Sequence, residues 1–275
     1  MVKLMIRFKF GPKGKAIILI ITFIIITTLL FKFSFIRSKY ISNEILEMFY
    51  NSLPPKIFRC VFSSLVITLG YLLTRFVGNK ILSDTLNPNE TKYIRNSINW
   101  IYIACFFGGA KEFKLKNMPI WISFKIILTW PRLEGIVDSL ETDNSKILCK
   151  MVNTGNNNDE VNIIVDDTYE TLSKIDPSDF VSRETWYLKK IKSNNYSGSY
   201  KSYNARLLSD FSSKIGELSK CYTTVNLFLS TSPYMTKKII DTCFEMDRRD
   251  GFKHLCVYES SSEHNFKFVK KHKIF

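Results

Sequence analysis

The sequence is short of almost every signature that would name a chemistry. It has no Gly-x-Ser-x-Gly elbow, no His-Glu-x-x-His, no Walker loop and no dinucleotide fingerprint. Those absences leave no catalytic residue to assign. The six cysteines, Cys60, Cys105, Cys149, Cys221, Cys243 and Cys256, form no Cys-x-x-Cys pair. The three histidines, His254, His264 and His272, all lie near the C-terminus. No zinc spacing results, so no metal site is expected, and scattered thiols suit a reducing compartment. Zinc-finger, RNP and basic-zipper patterns are missing too, which argues against a nucleic-acid partner despite a net charge of +14.

Acidic residues are absent from residues 1–40, which carry Lys3, Arg7, Lys9, Lys13, Lys15, Lys32, Arg37 and Lys39. Inside that basic region, Ala16 to Phe31 has no charge, no glycine and no proline. Its polar side chains are Thr22, Thr27 and Thr28, whose hydroxyls can bond back to helix carbonyls. At about 1.5 Å per residue, roughly 20 such residues cross a hydrocarbon core about 30 Å thick. A first membrane span is therefore expected over residues 16–36. A cleaved signal would be shorter and would end at small residues, whereas Lys32, Phe33, Phe35 and Arg37 follow here.

Pro54-Pro55 stiffens the connector before a second apolar run, Cys60 to Thr74, which Arg75 can extend by snorkelling. A second span is expected over residues 60–78. With the basic N-terminus held inside, the hairpin returns the chain to the cytosol. A single-pass protein with a lumenal C-terminal part is the competing arrangement. The sequons at Asn89 and Asn195 would then be available for glycans. Two shorter apolar segments, residues 98–109 and 118–130, hold Trp100, Tyr102, Trp121 and Trp130. They suit helices at the membrane interface, or else a buried part of the soluble domain.

After Pro131-Arg132 the composition turns polar and mixed in charge. The expected division is a membrane region over residues 1–132 and a soluble α/β domain over 133–275. Short strands are read at Ser145 to Val152 and Val161 to Val165, with an Asn/Gly-rich turn between them. Residues 167–186 read as helical or irregular. Tyr222 to Leu229 is a strand of β-branched and aromatic residues. Ser230 to Pro233 can cap a helix over Tyr234 to Asp250, ending at Gly251. A strand at His254 to Tyr258 and a final helix led by Ser261-Ser262 complete the pattern.

Ser232-Pro233, Asp250-Gly251-Phe252, Leu255 to Tyr258 and Ser262 to Val269 follow one another in the order seen in the GCN5-related N-acetyltransferase (GNAT) family, which the last 55 or so residues resemble. The resemblance implies acetyl-CoA as a cofactor and places its pyrophosphate at Ser232, Tyr234, Thr236, Lys237 and Lys238. It also implies a membrane-anchored acetyltransferase as one reading. The departures point the other way. The segment from Ser232 to Lys238 has no glycine to admit a phosphate close to the backbone, and Val269 stands where the family has a tyrosine acid. The leading expectation is therefore a non-catalytic interaction or assembly module without a cofactor. Its partners would be the lipid bilayer and another membrane or cytosolic protein. The layout of two spans before a degenerate acetyltransferase-like domain is similar to that of the fungal endoplasmic-reticulum packaging factor for a phosphate transporter. That likeness implies an endoplasmic-reticulum membrane with the C-terminal domain in the cytosol.

Overall fold

The computed structural model describes residues 12–40, 54–81, 85–86, 98–116, 118–130, 133–155, 157–179, 182–191, 202–244, 251–261 and 265–275. The two expected sequons lie outside the described residues. The chain divides into two compact units, residues 1–92 with 96–113, and residues 93–95 with 114–275.

The first unit is built of three helices: α1 (Pro12–Tyr40), α2 (Pro55–Ile81) and α3 (Ile98–Gly108). Residues 12–32 of α1 and 60–79 of α2 are long and apolar enough to cross a membrane. Both helices open on proline, which has no N–H to leave unsatisfied there. Threonine hydroxyls are absorbed inside the helices. Thr27 donates to the Phe23 carbonyl at 2.7 Å, Thr28 to Ile24 at 2.7 Å, Thr68 to Ser64 at 2.8 Å and Thr74 to Gly70 at 2.8 Å. This is how a polar side chain is tolerated where no water reaches.

α1 and α2 pack antiparallel through small residues. A Cβ at Gly70 would stand 2.6 Å from Thr27 Oγ1, and one at Gly78 would stand 2.8 Å from Leu19 Cδ2. Glycine is what permits the backbones to approach this closely. α3 closes the group through rings, with Phe107 at 5.2 Å from Phe23 and Phe106 at 4.9 Å from Tyr71. The Tyr71 hydroxyl donates to the Phe106 carbonyl at 3.1 Å and accepts from Arg75 at 3.1 Å. Ile17, Ile21, Ile24, Ile25 and Leu29 of α1, with Leu65, Leu69, Leu72 and Phe76 of α2, remain exposed on the outside of the unit.

The second unit carries α4 (Ile120–Thr129), β1 (Ile147–Asn153), β2 (Asn157–Asp166), β3 (Arg183–Lys190), α5 (Ala205–Leu218), β4 (Thr224–Ser230), α6 (Pro233–Cys243), β5 (His254–Ser261) and β6 (Lys267–Lys273). The strands form one sheet in the order β1-β3-β2-β4-β5-β6. β3, β2, β4 and β5 run parallel, and β1 and β6 are antiparallel edges. Parallel strands are covered on both faces and so read as continuous apolar runs. Every residue of β4 is buried, as is Val161 to Asp167.

One face presents Val161, Ile163, Val165, Val225, Leu227, Leu229, Leu255 and Val257. Leu207, Phe211 and Ile215 of α5, Met235, Ile239 and Ile240 of α6, and Phe124 and Leu128 of α4 pack on it. The other face holds a smaller group, Ile164, Tyr187, Phe228, Tyr258 and Phe268, under Ile175.

Two sequence expectations need correction. The segment led by Ser261-Ser262 does not form a helix. Residues Lys267–Lys273 are a strand paired antiparallel with β5. Phe268 enters the core while Lys267, Val269, Lys270 and Lys271 stay out, and β5's free edge supplies the backbone partners that local helix propensity lacked. The helix expected to run to Asp250 ends at Cys243, and residues 245–250 lie outside the described residues. Residues 167–186 resolve into two single-turn 3-10 segments, Leu172–Lys174 and Pro177–Asp179, and the start of β3. All six cysteines are unpaired by disulfide. Cys105, Cys243 and Cys256 are buried, and Cys60, Cys149 and Cys221 are exposed.

Candidate functional site

β2 comes first among the parallel strands. The chain then places β3 on one side of it and, after α5, β4 on the other. Connections therefore diverge above the C-terminal ends of β2 and β4. In open α/β sheets this switch point is where ligands bind, because the diverging loops leave a crevice lined by strand ends and a helix start.

The lining follows from the strand ends. β2 leads into Asp166, Asp167 and Thr168, and β4 leads into Ser230, Thr231 and Ser232. Hydrogen bonds stitch the two ends. The N–H groups of Asp167 and Thr168 donate to the Ser230 carbonyl at 3.1 and 2.9 Å. The hydroxyls of Thr168 and Ser230 meet at 2.8 Å, and the Tyr169 N–H donates to Ser230 Oγ at 3.1 Å. Ser232 N–H donates to Asp167 Oδ2 at 3.3 Å.

α6 begins at this edge. Ser232 is its cap and accepts from the Met235 N–H at 3.2 Å, Pro233 has no N–H and the Thr236 N–H donates to the Ser232 carbonyl at 2.8 Å, so the Tyr234 N–H is the first-turn donor left at the positive end of the helix dipole. Thr236 is turned inward, bonding Thr231 Oγ1 at 2.8 Å and the Ser232 carbonyl at 3.0 Å. Tyr234 meets Tyr203 edge to face, with ring centres 5.3 Å apart. The Lys238 ammonium lies 5.7 Å from the Tyr234 ring centre, and Lys237 pairs with Asp241 at 2.6 Å. All five residues expected from the sequence to hold a phosphate thus sit in the first turns of one helix at the switch point. Ser232 and Thr236 are consumed by local bonds there. Tyr234, Lys237 and Lys238 are the half-buried side chains of the set.

Beneath the crevice is an ionic cluster that sequence reasoning did not assemble. Lys190, at the end of β3, reaches Asp167 Oδ1 at 3.1 Å, Asp143 Oδ2 at 3.3 Å and Ser202 Oγ at 3.0 Å. Ser202 Oγ also donates to Asp143 Oδ2 at 3.0 Å, and Asp143 Oδ1 accepts from the N–H and hydroxyl of Ser145 at 2.8 and 2.6 Å. Burial drives the Asp167 carboxyl above its ordinary pKa, against the pull of Lys190. For Asp143, burial is outweighed by the bonds from Ser145, Ser202 and Lys190, and its pKa falls. Burial also raises Asp166, although Thr171 and the Tyr187 hydroxyl donate to it.

This arrangement suits binding. The crevice pairs hydroxyls and a helix N-terminus with two tyrosine rings, which fits an anionic group carried on a flat or sugar-like body. The acids Asp143 and Asp167 are held against one ammonium and are not aimed at a nucleophile. Among the described residues, no group of three His, Cys, Asp or Glu side chains could hold a metal ion. In sequence Asp166-Asp167 is a pair of acids directly after the apolar run Val161 to Val165. Nothing in sequence tied it to Lys190, Asp143 or Ser202, which the fold alone brings together.

Among curated proteins, none matches the sequence. Two solved structures of the Acinetobacter baumannii Cap4 SAVED/CARF-domain containing receptor are similar in fold at 10% identity. One holds the cyclic trinucleotide 2'3'3'-cAAA, with a TM-score of 0.41 over 64% of this chain and 43% of that one. The other holds 3'3'3'-cAAA, with a TM-score of 0.40 over 68% of this chain and 46% of that one. This chain thus spans less than half the length of those receptors. The family model that matches nearly the whole chain describes a 2TM effector domain and not an acetyltransferase, so the GNAT resemblance is withdrawn, and the membrane-anchored acetyltransferase with it. The endoplasmic-reticulum placement rested on the same layout and is not carried forward. Residues 4–275, nearly the whole chain, match the model of the SUa-2TM family, the SMODS- and Ubiquitin system-associated 2TM effector domain, and the chain belongs to that family.

Proposed function

We propose that this protein is a membrane effector whose α/β unit is a non-catalytic receptor for a phosphate-bearing small molecule. The ligand occupies the switch-point crevice, and the two membrane helices deliver the response. The observation that carries the reading is the convergence at one sheet edge of the α6 N-terminus, Thr231, Tyr203, Tyr234 and Lys238. The α6 start supplies the Tyr234 N–H and the positive end of its dipole to a phosphate, Lys238 supplies charge, and the tyrosines supply flat surfaces for the rest of the ligand. The buried Lys190 cluster fixes the loops that frame the crevice, so the site is formed before a ligand arrives.

The α/β unit faces the cytosol in this reading, since the acid-free N-terminal flank stays inside and two spans bring the chain back. The test uses full-length protein in liposomes. Cyclic trinucleotide and inorganic phosphate are titrated while thermal unfolding and release of an entrapped dye are followed. A saturable rise in melting temperature is expected, equal to about 2.7 kcal/mol of stabilisation at a hundredfold excess over Kd. Lys238→Glu should abolish it. A ligand that stabilises wild type and Lys238→Glu alike would place binding elsewhere.

A further inference from the structure

Immediately before β6 stands a residue that backbone geometry disfavours. Asn265 and Phe266 have φ of +56° and +60°. Asparagine tolerates the left-handed region, but phenylalanine does not, and glycine is the ordinary occupant there. The strained position does not serve to bury the ring, since Phe266 is 47% exposed. Its neighbour Tyr169, with ring centre 6.3 Å away, is 45% exposed. The Lys174 ammonium lies 4.8 Å from the Tyr169 ring centre and 5.3 Å from that of Phe266. The strand that follows, Lys267–Lys273, carries Lys267, Lys270, Lys271 and Lys273, all exposed, and no acid. Val269, 52% exposed, adds a further apolar side chain.

Lysines on an edge strand discourage pairing with another sheet, and that use explains β6 by itself. It does not explain an exposed aromatic ring just before the strand in place of glycine. Exposed aromatics beside a lysine-rich strand match the chemistry of an anionic bilayer surface. The rings suit the headgroup level, and the ammonium groups suit phosphates. The same chain carries two helices fit to cross a membrane, so a bilayer is always within reach of this unit.

We propose that the patch formed by Phe266, Tyr169 and the start of β6 is a membrane-docking element, in which Phe266 and Tyr169 enter the headgroup layer of an anionic leaflet while Lys174, Lys267 and Lys270 meet its phosphates. Tyr169 also follows the strand end that borders the switch point, its N–H donating to Ser230 Oγ, so the test carries a ligand arm.

The test is amine-reactive labelling, read by mass spectrometry, of the full-length chain in nanodiscs. The nanodiscs contain phosphatidylcholine alone or mixed with phosphatidylglycerol. Labelling of Lys267 and Lys270 is expected to fall severalfold in the anionic discs, to recover at high salt, and to recover in Phe266→Gly. That variant relieves the left-handed strain, so its melting temperature should not drop, and misfolding cannot account for lost protection. Equal labelling in both lipids overturns the proposal. Protection that survives Phe266→Gly also overturns it, since charge alone would then suffice. So does protection brought about by cyclic trinucleotide in neutral lipid, which would make the patch part of the ligand site.

Discussion

Lys190 sits between two carboxylates, and the three groups share one buried cluster with Ser202. Taking out the ammonium would leave Asp143 and Asp167 buried as like charges. Lys190→Met should therefore destabilise the α/β unit by about 3–5 kcal/mol, read from urea unfolding followed by tryptophan emission. Adding Asp167→Asn should restore part of the loss, because one stranded charge is removed. Glu160 offers a pH test. Burial raises its pKa, but the bond from Asn226 and the charges of Lys271 and Arg183 outweigh this and bring it below the ordinary 4.5. The Arg183 contact is 2.9 Å and that of Lys271 is 3.4 Å. A lowered carboxyl contributes stability above its unfolded value and loses it as pH falls through the folded value. Stability should thus decline below pH 4.5, and Glu160→Gln should flatten that decline. Asp167 acts with the opposite sign, since its raised pKa means protonation favours the folded form. At this scale the sequence shows the start of α6 at Ser232-Pro233, because serine and proline punctuate a helix start, while the phosphate role given to Ser232, Tyr234, Thr236, Lys237 and Lys238 came from the GNAT resemblance alone. It hides Lys190 and Asp143, whose partners are set by tertiary structure.

Elements follow the sequence where the burial pattern and the local propensity agree. β4 is β-branched and aromatic, and it lies in the middle of the sheet with every residue buried. α1 and α2 appear because an uncharged run in lipid has no other way to satisfy its backbone. β6 shows the reverse case. Ser261-Ser262 and the spacing of Phe266 and Val269 favour a helix locally, yet pairing with β5 decides the outcome. Glycines on helices separate packing from propensity. Gly70 has Thr27 Oγ1 at 2.6 Å from where a Cβ would stand, whereas Gly216 of α5 has nothing within 4 Å. Gly70→Val should force α1 and α2 apart, lowering the melting temperature and abolishing cross-linking between cysteines placed at facing positions on the two helices. Gly216→Ala should raise the stability of the α/β unit by up to about 1 kcal/mol, since alanine is the better helix former and meets no neighbour.

On the scale of the whole molecule, the N-terminal charge and the two spans make a joint statement about sidedness. Family membership and the two apolar helices both give a two-span anchor. In the proposed topology an even number of crossings returns the chain to its starting side, and the acid-free flank keeps that side in the cytosol. The six-stranded sheet lies wholly in residues after 114, in the second unit, and the proposed topology would open its switch point to cytosolic ligands. In sealed vesicles with the cytosolic face outward, protease should remove tags at both ends and spare a tag inserted between α1 and α2. Loss of the N-terminal tag with protection of the C-terminal one would mean a single crossing. In that case the α/β unit would lie in an oxidising space with two exposed thiols, Cys149 and Cys221. A receptor for a cytosolic signal could not work from there, so this one digestion tests the topology and the proposed function together.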